Sequence, residues 1–181
     1  TLGPAHPYVA GCLNNLALLY RAQGRTDEAK SFFERSLKIR EEVLGVEHPD
    51  TATSLNDLAA FHYSQGQYSN AKTLYKRALE VRKKVLGPEH PKVGEVLNNL
   101  GALHYAQGYY SEAQSSFRQA MAIMNKTLGP YHPEVAALFN NLAVLAYVQG
   151  DYNQAEVLCK GALAIYEKIR PSSHPELVAV L

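Results

Sequence analysis

The chain has 181 residues, of which 46% are hydrophobic and 19% charged, and its formal net charge at pH 7 is +1. This composition allows a continuous buried core and excludes the low hydrophobicity of a disordered chain. A net charge near zero gives no general attraction to nucleic acid or to anionic membranes, so neither is predicted as a partner. No apolar run approaches the ~20 residues that cross a bilayer.

Three short motifs return along the chain at a constant step of 42 residues. The His-Pro pair occurs at His6-Pro7, His48-Pro49, His90-Pro91, His132-Pro133 and His174-Pro175. The tetrapeptide Leu-Asn-Asn-Leu and its variants begin at Leu13, Leu55, Leu97 and Phe139, and Gln-Gly begins at Gln23, Gln65, Gln107 and Gln149. A fixed period of this length indicates a stacked-repeat solenoid, in which each unit contacts its neighbours.

Each unit is predicted to begin with a helix, here called helix A. In the first unit it starts at Pro7, because proline suits the first helical position. His6 is then the N-cap, and a ring nitrogen can accept a backbone N–H there. Helix A runs to about Ala22 and is ended by Gly24, because glycine can take a positive φ.

The second helix of the unit, helix B, is predicted to begin at Thr26 or Asp27, both good cap residues, and to end near Leu44. We therefore expect a single array with repeats at 7–44, 49–86, 91–128 and 133–169 and a partial fifth repeat at 174–181. The chain starts within a repeat and without a methionine. We interpret it as a fragment of a longer protein.

The unit resembles the tetratricopeptide repeat at Leu13, Leu16, Ala17, Tyr20, Gly24, Ala29, Phe33, Ser36 and Leu37. The 42-residue version, with Leu-Gly-x-x-His-Pro and Leu-Asn-Asn-Leu-Ala, is similar to the repeats of kinesin light chains and nephrocystin-type proteins. The resemblance implies an all-α fold, a right-handed α-solenoid of helix-turn-helix repeats. It also implies an adaptor or scaffold that binds other proteins.

One arc of helix A carries amides, although asparagine is a poor helix former. The first amide column is Asn14, Asn56, Asn98 and Asn140, and the second is Asn15, Asp57, Asn99 and Asn141. In the proteins that the chain resembles, helix A faces a concave groove where asparagines hold an extended peptide, each amide offering a donor and an acceptor. The alternative is that one column bonds between repeats and only the other is free.

A second column, the tyrosine column, consists of Arg21, Tyr63, Tyr105 and Tyr147. These side chains are expected to line the groove and to hold an aromatic or apolar anchor of the peptide. The alternative is that they pack against the following helix. Arg82 and Arg40 lie on the face of Ala71 and Ala29 and are expected to reach the groove and meet an acidic ligand. By resemblance to kinesin light chains, the ligand carries an aromatic residue flanked by acids.

The regularly spaced histidines are too far apart to bind one metal ion, since stacked units separate them by ~10 Å or more. No phosphate-binding loop or nucleophile–base set is present, so neither an enzyme nor a cofactor is predicted. Cys12 and Cys159 lie in the first and last full repeats, so no intramolecular disulfide is expected. Free thiols favour a reducing, cytoplasmic location.

These patterns predict a protein–protein interaction module that binds a short linear segment of a partner in its concave groove. The alternative is a structural spacer or self-assembly module without an independent peptide ligand. The chain is accordingly expected to be a monomer or to associate end to end.

Overall fold

Eight α-helices make up the fold of the described part of the chain, residue 3 and residues 5–169 of a computed structural model. They are α1 Pro7–Ala22, α2 Thr26–Leu44, α3 Pro49–Ser64, α4 Tyr68–Leu86, α5 Pro91–Ala106, α6 Tyr110–Leu128, α7 Pro133–Val148 and α8 Tyr152–Ile169. The predicted all-α class is confirmed. The predicted partial fifth repeat at 174–181 lies outside the described residues. No helix within 5–169 is both long and apolar enough to cross a membrane.

Histidine caps the N-terminus of each of the four A helices that the structure describes, as predicted. In each case Nδ1 accepts the backbone N–H two residues later, and the intervening proline is the first helical residue. The bonds run from Tyr8 to His6 (3.2 Å), Asp50 to His48 (3.1 Å), Lys92 to His90 (3.1 Å) and Glu134 to His132 (3.2 Å). The capping role predicted for these four rings is therefore confirmed.

The predicted cap of the first B helix was wrong. Gly24 takes a φ of 74°, and the turn after it is so short that Thr26 is already helical. Arg25 is the N-cap, and its side chain makes no cap bond. It donates instead to the Glu28 carboxylate at 2.9 Å, an exposed pair near the positive end of the helix dipole.

The A helices form the inner row of the array. Each helix packs on the next one in the chain, and α1, α3, α5 and α7 also contact one another across repeats. Within residues 5–169 the backbones of the B helices approach one another less closely than those of the A helices do. In a curved stack the row whose members approach most closely lies on the inside. We call the surface along this inner row the groove.

Small residues let helix A approach helix B at one recurring position. Ala17 and Ala59 are fully buried there, and the third repeat has Gly101 instead. A Cβ atom at Gly101 would lie 2.5 Å from Cε1 of Phe117, closer than real side-chain contacts come. The glycine therefore makes room for the Phe117 ring.

Lysine side chains near the ends of the B helices tie down the loops that precede the A helices. Lys84 bonds Glu47 and Lys126 bonds Glu89, both at 2.5 Å. In the fourth repeat the acid is replaced by an aromatic ring, and Nζ of Lys168 lies 3.3 Å from the centre of the Tyr131 ring. One exposed ion pair, Arg77 with Glu41 at 2.7 Å, joins α4 to α2 in the outer row.

Candidate functional site

Amides of the two columns bond to each other between adjacent A helices. A first-column residue pairs with the second-column residue of the next repeat. The bonds are Asn14 Nδ2 to Asp57 Oδ2 (2.8 Å), Asn99 Nδ2 to Asn56 Oδ1 (3.0 Å) and Asn141 Nδ2 to Asn98 Oδ1 (2.8 Å). Both columns thus take part in the inter-repeat bonding that the sequence had suggested for one of them.

Burial differs along the first amide column, whose last member, Asn140, lies on the last A helix that the structure describes. Asn14 and Asn56 are only 7% and 4% exposed, Asn98 is half-buried, and Asn140 is exposed. The expected accessible amides are therefore absent at Asn14 and Asn56. The cause is that both are enclosed between helices and have partners inside the chain.

Glu95 explains much of the enclosure of Asn56. The Nδ2 of Asn56 lies 3.3 Å from Oε1 of Glu95, so this amide bonds both an acid and Asn99. The position corresponding to Glu95 in the next repeat is Ala137, which has no acceptor for Asn98. Nδ2 of Asn98 has no protein partner in the part of the chain that is described.

The expectation that Arg82 reaches the groove is corrected. Its side chain is 2% exposed, and Nη1 donates to the Lys92 carbonyl at 2.7 Å and lies 3.4 Å from Oε2 of Glu95. Burial lowers the Arg82 pKa because it removes water from the guanidinium, and the Glu95 charge opposes this shift. Arg82 shares a face with Ala71, as the sequence indicated, but that face lies between α4 and α5.

Arg40 occupies the corresponding place one repeat earlier. Its Nη1 donates to the Asp50 carbonyl at 2.9 Å and to Oγ of Ser54 at 2.8 Å. These bonds tie α2 to α3. The guanidinium thus serves the same inter-repeat packing as Arg82 rather than an acidic guest.

Tyrosines of the column each pair with a second tyrosine at the start of the following B helix, which is the packing against the following helix that the sequence left open as the alternative to groove exposure. The ring centres are 5.9 Å apart in Tyr63–Tyr68, 5.9 Å in Tyr105–Tyr110 and 5.6 Å in Tyr147–Tyr152. Sequence reasoning missed the second member of each pair. The signal was present, because Tyr68, Tyr110 and Tyr152 also recur at the 42-residue step. We call these the three tyrosine pairs.

The tyrosine pairs combine apolar packing with unbonded hydroxyl groups. Tyr63 and Tyr105 are half-buried, and Tyr147 is 64% exposed. Burial, with Tyr68 and Tyr105 close by, raises the Tyr63 pKa. Among the described residues, none of the six hydroxyls has a protein hydrogen-bond partner. The exposed Arg21 begins the column, without a tyrosine pair in its repeat.

A cavity of about 530 Å³ opens between α7 and α8 beside the last tyrosine pair. Its lining is mainly apolar. The lining residues are Asn140, Ala143, Val144, Tyr147, Tyr152, Ala155, Glu156 and Cys159. Within residues 5–169 no three His, Cys, Asp or Glu side chains come together to hold a metal ion.

Comparison with known proteins identifies the type of repeat. The family model described as Tetratricopeptide repeat matches residues 8–84, 50–126 and 105–168. No curated protein sequence matches the chain.

Solved structures with 30% identity agree with this match. BtubC (BKLC) from P. vanneervenii has a TM-score of 0.81, and the match covers 94% of this chain and 68% of that one. A Podosopora anserina protein, named for kinesin light chain and its nearly identical TPR-like repeats, has a TM-score of 0.73 and coverages of 95% and 82%. Aspartyl phosphate phosphatase F from Bacillus subtilis, at 16% identity, TM-score 0.79 and coverages of 90% and 41%, shares the fold. The predicted resemblance to kinesin light chain-like tetratricopeptide repeats is confirmed.

Proposed function

Because this chain belongs to the tetratricopeptide repeat family, we propose that it binds a short linear segment of a partner protein in its groove. The supporting observation is that Asn98 is only half-buried and its Nδ2 has no protein partner among the described residues, while Asn140 and Tyr147 are exposed on α7, the last A helix that the structure describes. An amide with an unused donor can bond the backbone of an extended chain that has no sheet to pair with. Exposed tyrosine rings then supply the apolar contact.

The proposed contacts lie in the third and fourth repeats. Asn99 and Asn141 donate their Nδ2 groups to the first column, which leaves their Oδ1 atoms as acceptors without a partner in the described part. Together with Asn98 and Asn140 they offer donors and acceptors to both sides of a peptide group. The proposed site therefore includes these four amides with Tyr63, Tyr105 and Tyr147, and it has Arg21 at its far end. Asn14, Asn56 and Arg82 are left out because they are buried.

A binding role of the adaptor type is consistent with the kinesin light chain name of one relative. For this chain the adaptor role is part of the proposal. The ligand with an aromatic residue flanked by acids, implied by resemblance, loses its expected partner because Arg82 is enclosed. A cytoplasmic location remains a prediction from the exposed free thiols of Cys12 and Cys159.

The proposal is tested by selecting random peptides displayed on phage against the chain and measuring their affinities by calorimetry. The double variant Asn98→Ala/Asn140→Ala should bind the selected peptides about thirtyfold more weakly, since each of the two lost bonds contributes about 1 kcal/mol. Asn125→Ala, an exposed amide on a B helix, is the matched control and should bind normally. Unchanged affinity of the double variant would contradict the proposal.

Self-assembly is the second candidate, and one observation favours it. Leu16 and Leu19 on α1 are 39% and 51% exposed, whereas their equivalents Leu58 and Phe61 are 4% and 1% exposed. This face suits either another repeat or a second copy of the chain. In a second copy, Asn15 would bond Asn140 of the first copy as Asn141 bonds Asn98.

Light scattering against concentration distinguishes the two candidates. End-to-end assembly gives a mass that grows with concentration, and Leu16→Ser/Leu19→Ser abolishes the growth because it makes the α1 face polar. A mass fixed at the monomer would exclude assembly and leave peptide binding.

A further inference from the structure

Three lysines on one side of α4 take no part in the groove. Lys72, Lys76 and Lys83 lie within about 40° of one another around the helix axis. Lys72 is half-buried, and the other two are exposed. Among the described residues no carboxylate oxygen lies within 4.0 Å of their ammonium groups. We propose that this side of α4 binds an acidic linear segment of a partner protein, at a surface separate from the groove.

The lysine side of α4 faces the third repeat. Nζ of Lys72 lies 5.8 Å from the centre of the ring of Tyr109, at the turn between α5 and α6. Burial lowers the pKa of His104 near the end of α5, and the charges of Lys72 and Lys76 lower it further. Both ammonium groups therefore act on the same part of the third repeat. We call the boundary between α4 and α6 the second outer seam, and that between α2 and α4 the first outer seam.

Charges that are paired at the first outer seam have no counterpart at the second. At the first seam Glu41 of α2 bonds Arg77 of α4 at 2.7 Å. The 42-residue step puts Lys83 in the place of Glu41, and Gln119 in the place of Arg77. An ion pair is thus replaced by a lysine opposite a neutral amide. The second outer seam consequently carries positive charge that the first one neutralises.

Nearby acids do not neutralise the three lysines. Glu80 is on α4 itself, but it lines a cavity of about 380 Å³ at the first outer seam. Glu89 is bonded to Lys126 of α6. Glu112 of α6 also lies at the second seam, where its charge raises the pKa of His104 against the effect of the lysines. It forms no ion pair in the part of the chain that is described, so one acid faces three lysines.

The size of the lysine surface suits a short protein segment. Lys72 and Lys83 are about 16 Å apart along the helix axis, a distance that an extended segment of about five residues spans. Carboxylates on such a segment complement the ammonium groups, and the 50% exposed Tyr109 adds an apolar contact at one end. Three lysines neutralise about three phosphates, whereas strong binding of nucleic acid rests on about 6–10 such contacts. An acidic protein segment is therefore the better complement.

The test titrates a fluorescein-labelled, capped peptide of six glutamates into the chain and follows fluorescence anisotropy at about 50 mM salt, where exposed charges are weakly screened. We expect saturable one-to-one binding that weakens at least about tenfold in Lys72→Glu/Lys76→Glu/Lys83→Glu, because several charge pairs are lost together. The matched control, Lys30→Glu/Arg35→Glu/Lys38→Glu, reverses three exposed cations of α2 and changes the net charge equally. It should weaken binding less than about threefold. Circular dichroism checks that both variants keep their helices.

A single substitution gives an independent test. Gln119→Glu places a carboxylate opposite Lys83, as Glu41 stands opposite Arg77, so it should compete with the peptide and weaken its binding severalfold. Gln119→Ala adds no charge and should bind like the wild type. Equal binding by Gln119→Glu and Gln119→Ala would contradict the place given to Lys83.

The other outcomes separate this surface from the groove. No saturable binding of hexaglutamate, or equal losses in the two triple variants, would overturn the inference and leave the proposed function standing. Weaker binding in Arg21→Ala or in Asn98→Ala/Asn140→Ala would place the acidic peptide in the groove and refute a separate surface. Tighter binding of an oligouridylate with six phosphates than of hexaglutamate would show that the lysines prefer nucleic acid, which also overturns the inference.

Discussion

The first two repeats and the last two use the same asparagine motif in different ways. In the first half Asn14 and Asn56 are sealed between helices, while in the second half Asn98 and Asn140 become accessible. The motif itself does not differ in a way that explains this. The difference lies in a neighbouring position, which is Glu95 beside Asn56 and Ala137 beside Asn98. For Asn56 and Asn98 the difference in exposure therefore accompanies one side chain outside the motif, whereas Asn14 is buried with Thr53 at that position and Asn140 lies on the last A helix that the structure describes.

The largest expected effect breaks the charged seam of the first half. Arg82→Ala removes a buried side chain and leaves the Lys92 carbonyl without its donor, while Glu95 keeps Nζ of Lys92 at 2.8 Å and Nδ2 of Asn56. We expect a loss of about 2 kcal/mol in the free energy of unfolding, from the unpaired carbonyl and the lost packing, measured by urea titration. The exposed Arg77→Ala on the same helix is the control and should cost less than about 1 kcal/mol. Equal losses in the two variants would show that burial of Arg82 contributes nothing.

A second change tests the close packing of helix A on helix B in the third repeat, the one described repeat with glycine at this position. Gly101→Ala gives the third repeat the alanine of the first two and forces the new Cβ against Phe117. We expect a loss of about 2 kcal/mol by the same titration, typical of overpacking. Phe117→Leu combined with Gly101→Ala should recover part of this loss, since the smaller side chain vacates the space. If Gly101→Ala instead stabilised the chain, alanine's helix propensity would outweigh the clash.

A third change tests whether the side chain at position 137 controls the accessibility of Asn98. Ala137→Glu places an acceptor beside Asn98 as Glu95 does beside Asn56, so peptide affinity should fall severalfold while stability changes by less than about 1 kcal/mol. Calorimetry with the phage-selected peptides measures the affinity. Ala137→Gln, which can also bond Asn98 but adds no charge, separates the hydrogen bond from electrostatic repulsion. Wild-type affinity in both variants would refute the role assigned to this position.

The smallest effect concerns pH. Burial lowers the His104 pKa, and the positive charge of Lys72 adds to this while Glu112 opposes it. The folded state therefore disfavours protonation, so the contribution of His104 is complete above the unfolded pKa of about 6.5 and is lost as pH falls through the lower folded value. Because the ring is partly exposed, we expect a few tenths of a kcal/mol. The melting temperature of His104→Gln should fall less between pH 7 and pH 5 than that of the wild type. An equal fall in the two proteins would exclude His104 as a source of the pH dependence.

Periodicity in the sequence was sufficient to predict the fold, but it did not show which side chains of helix A are accessible in the groove. The recurring His-Pro, Leu-Asn-Asn-Leu and Gly positions report local chemistry, namely caps, a buried stripe and turns, and these act within one repeat. Which amide meets which partner depends on the neighbouring repeat. A helical wheel places Asn56 on an arc, but it cannot show that Glu95 and Asn99 cover that arc.

Arg82 shows the same limit, and also a signal that a closer reading could use. The helical wheel correctly placed Arg82 on the face of Ala71, but the pattern of one helix does not show whether that face is buried. Comparison between repeats gives a hint, because the pair Arg82 and Glu95 is replaced by Met124 and Ala137 in the next unit. Two charges that disappear together are expected of residues that contact each other.

The side-chain hydrogen bonds between the two amide columns affect how the array can bend. They pin α1 to α3, α3 to α5 and α5 to α7, whereas the outer row has a single exposed cross-tie between Arg77 and Glu41 in the described part. Bending of the array can then spread the outer helices while the inner spacing stays nearly constant. The spacing between the amides of successive repeats would then stay nearly constant, so a partner bound along the inner row would meet them at fixed intervals.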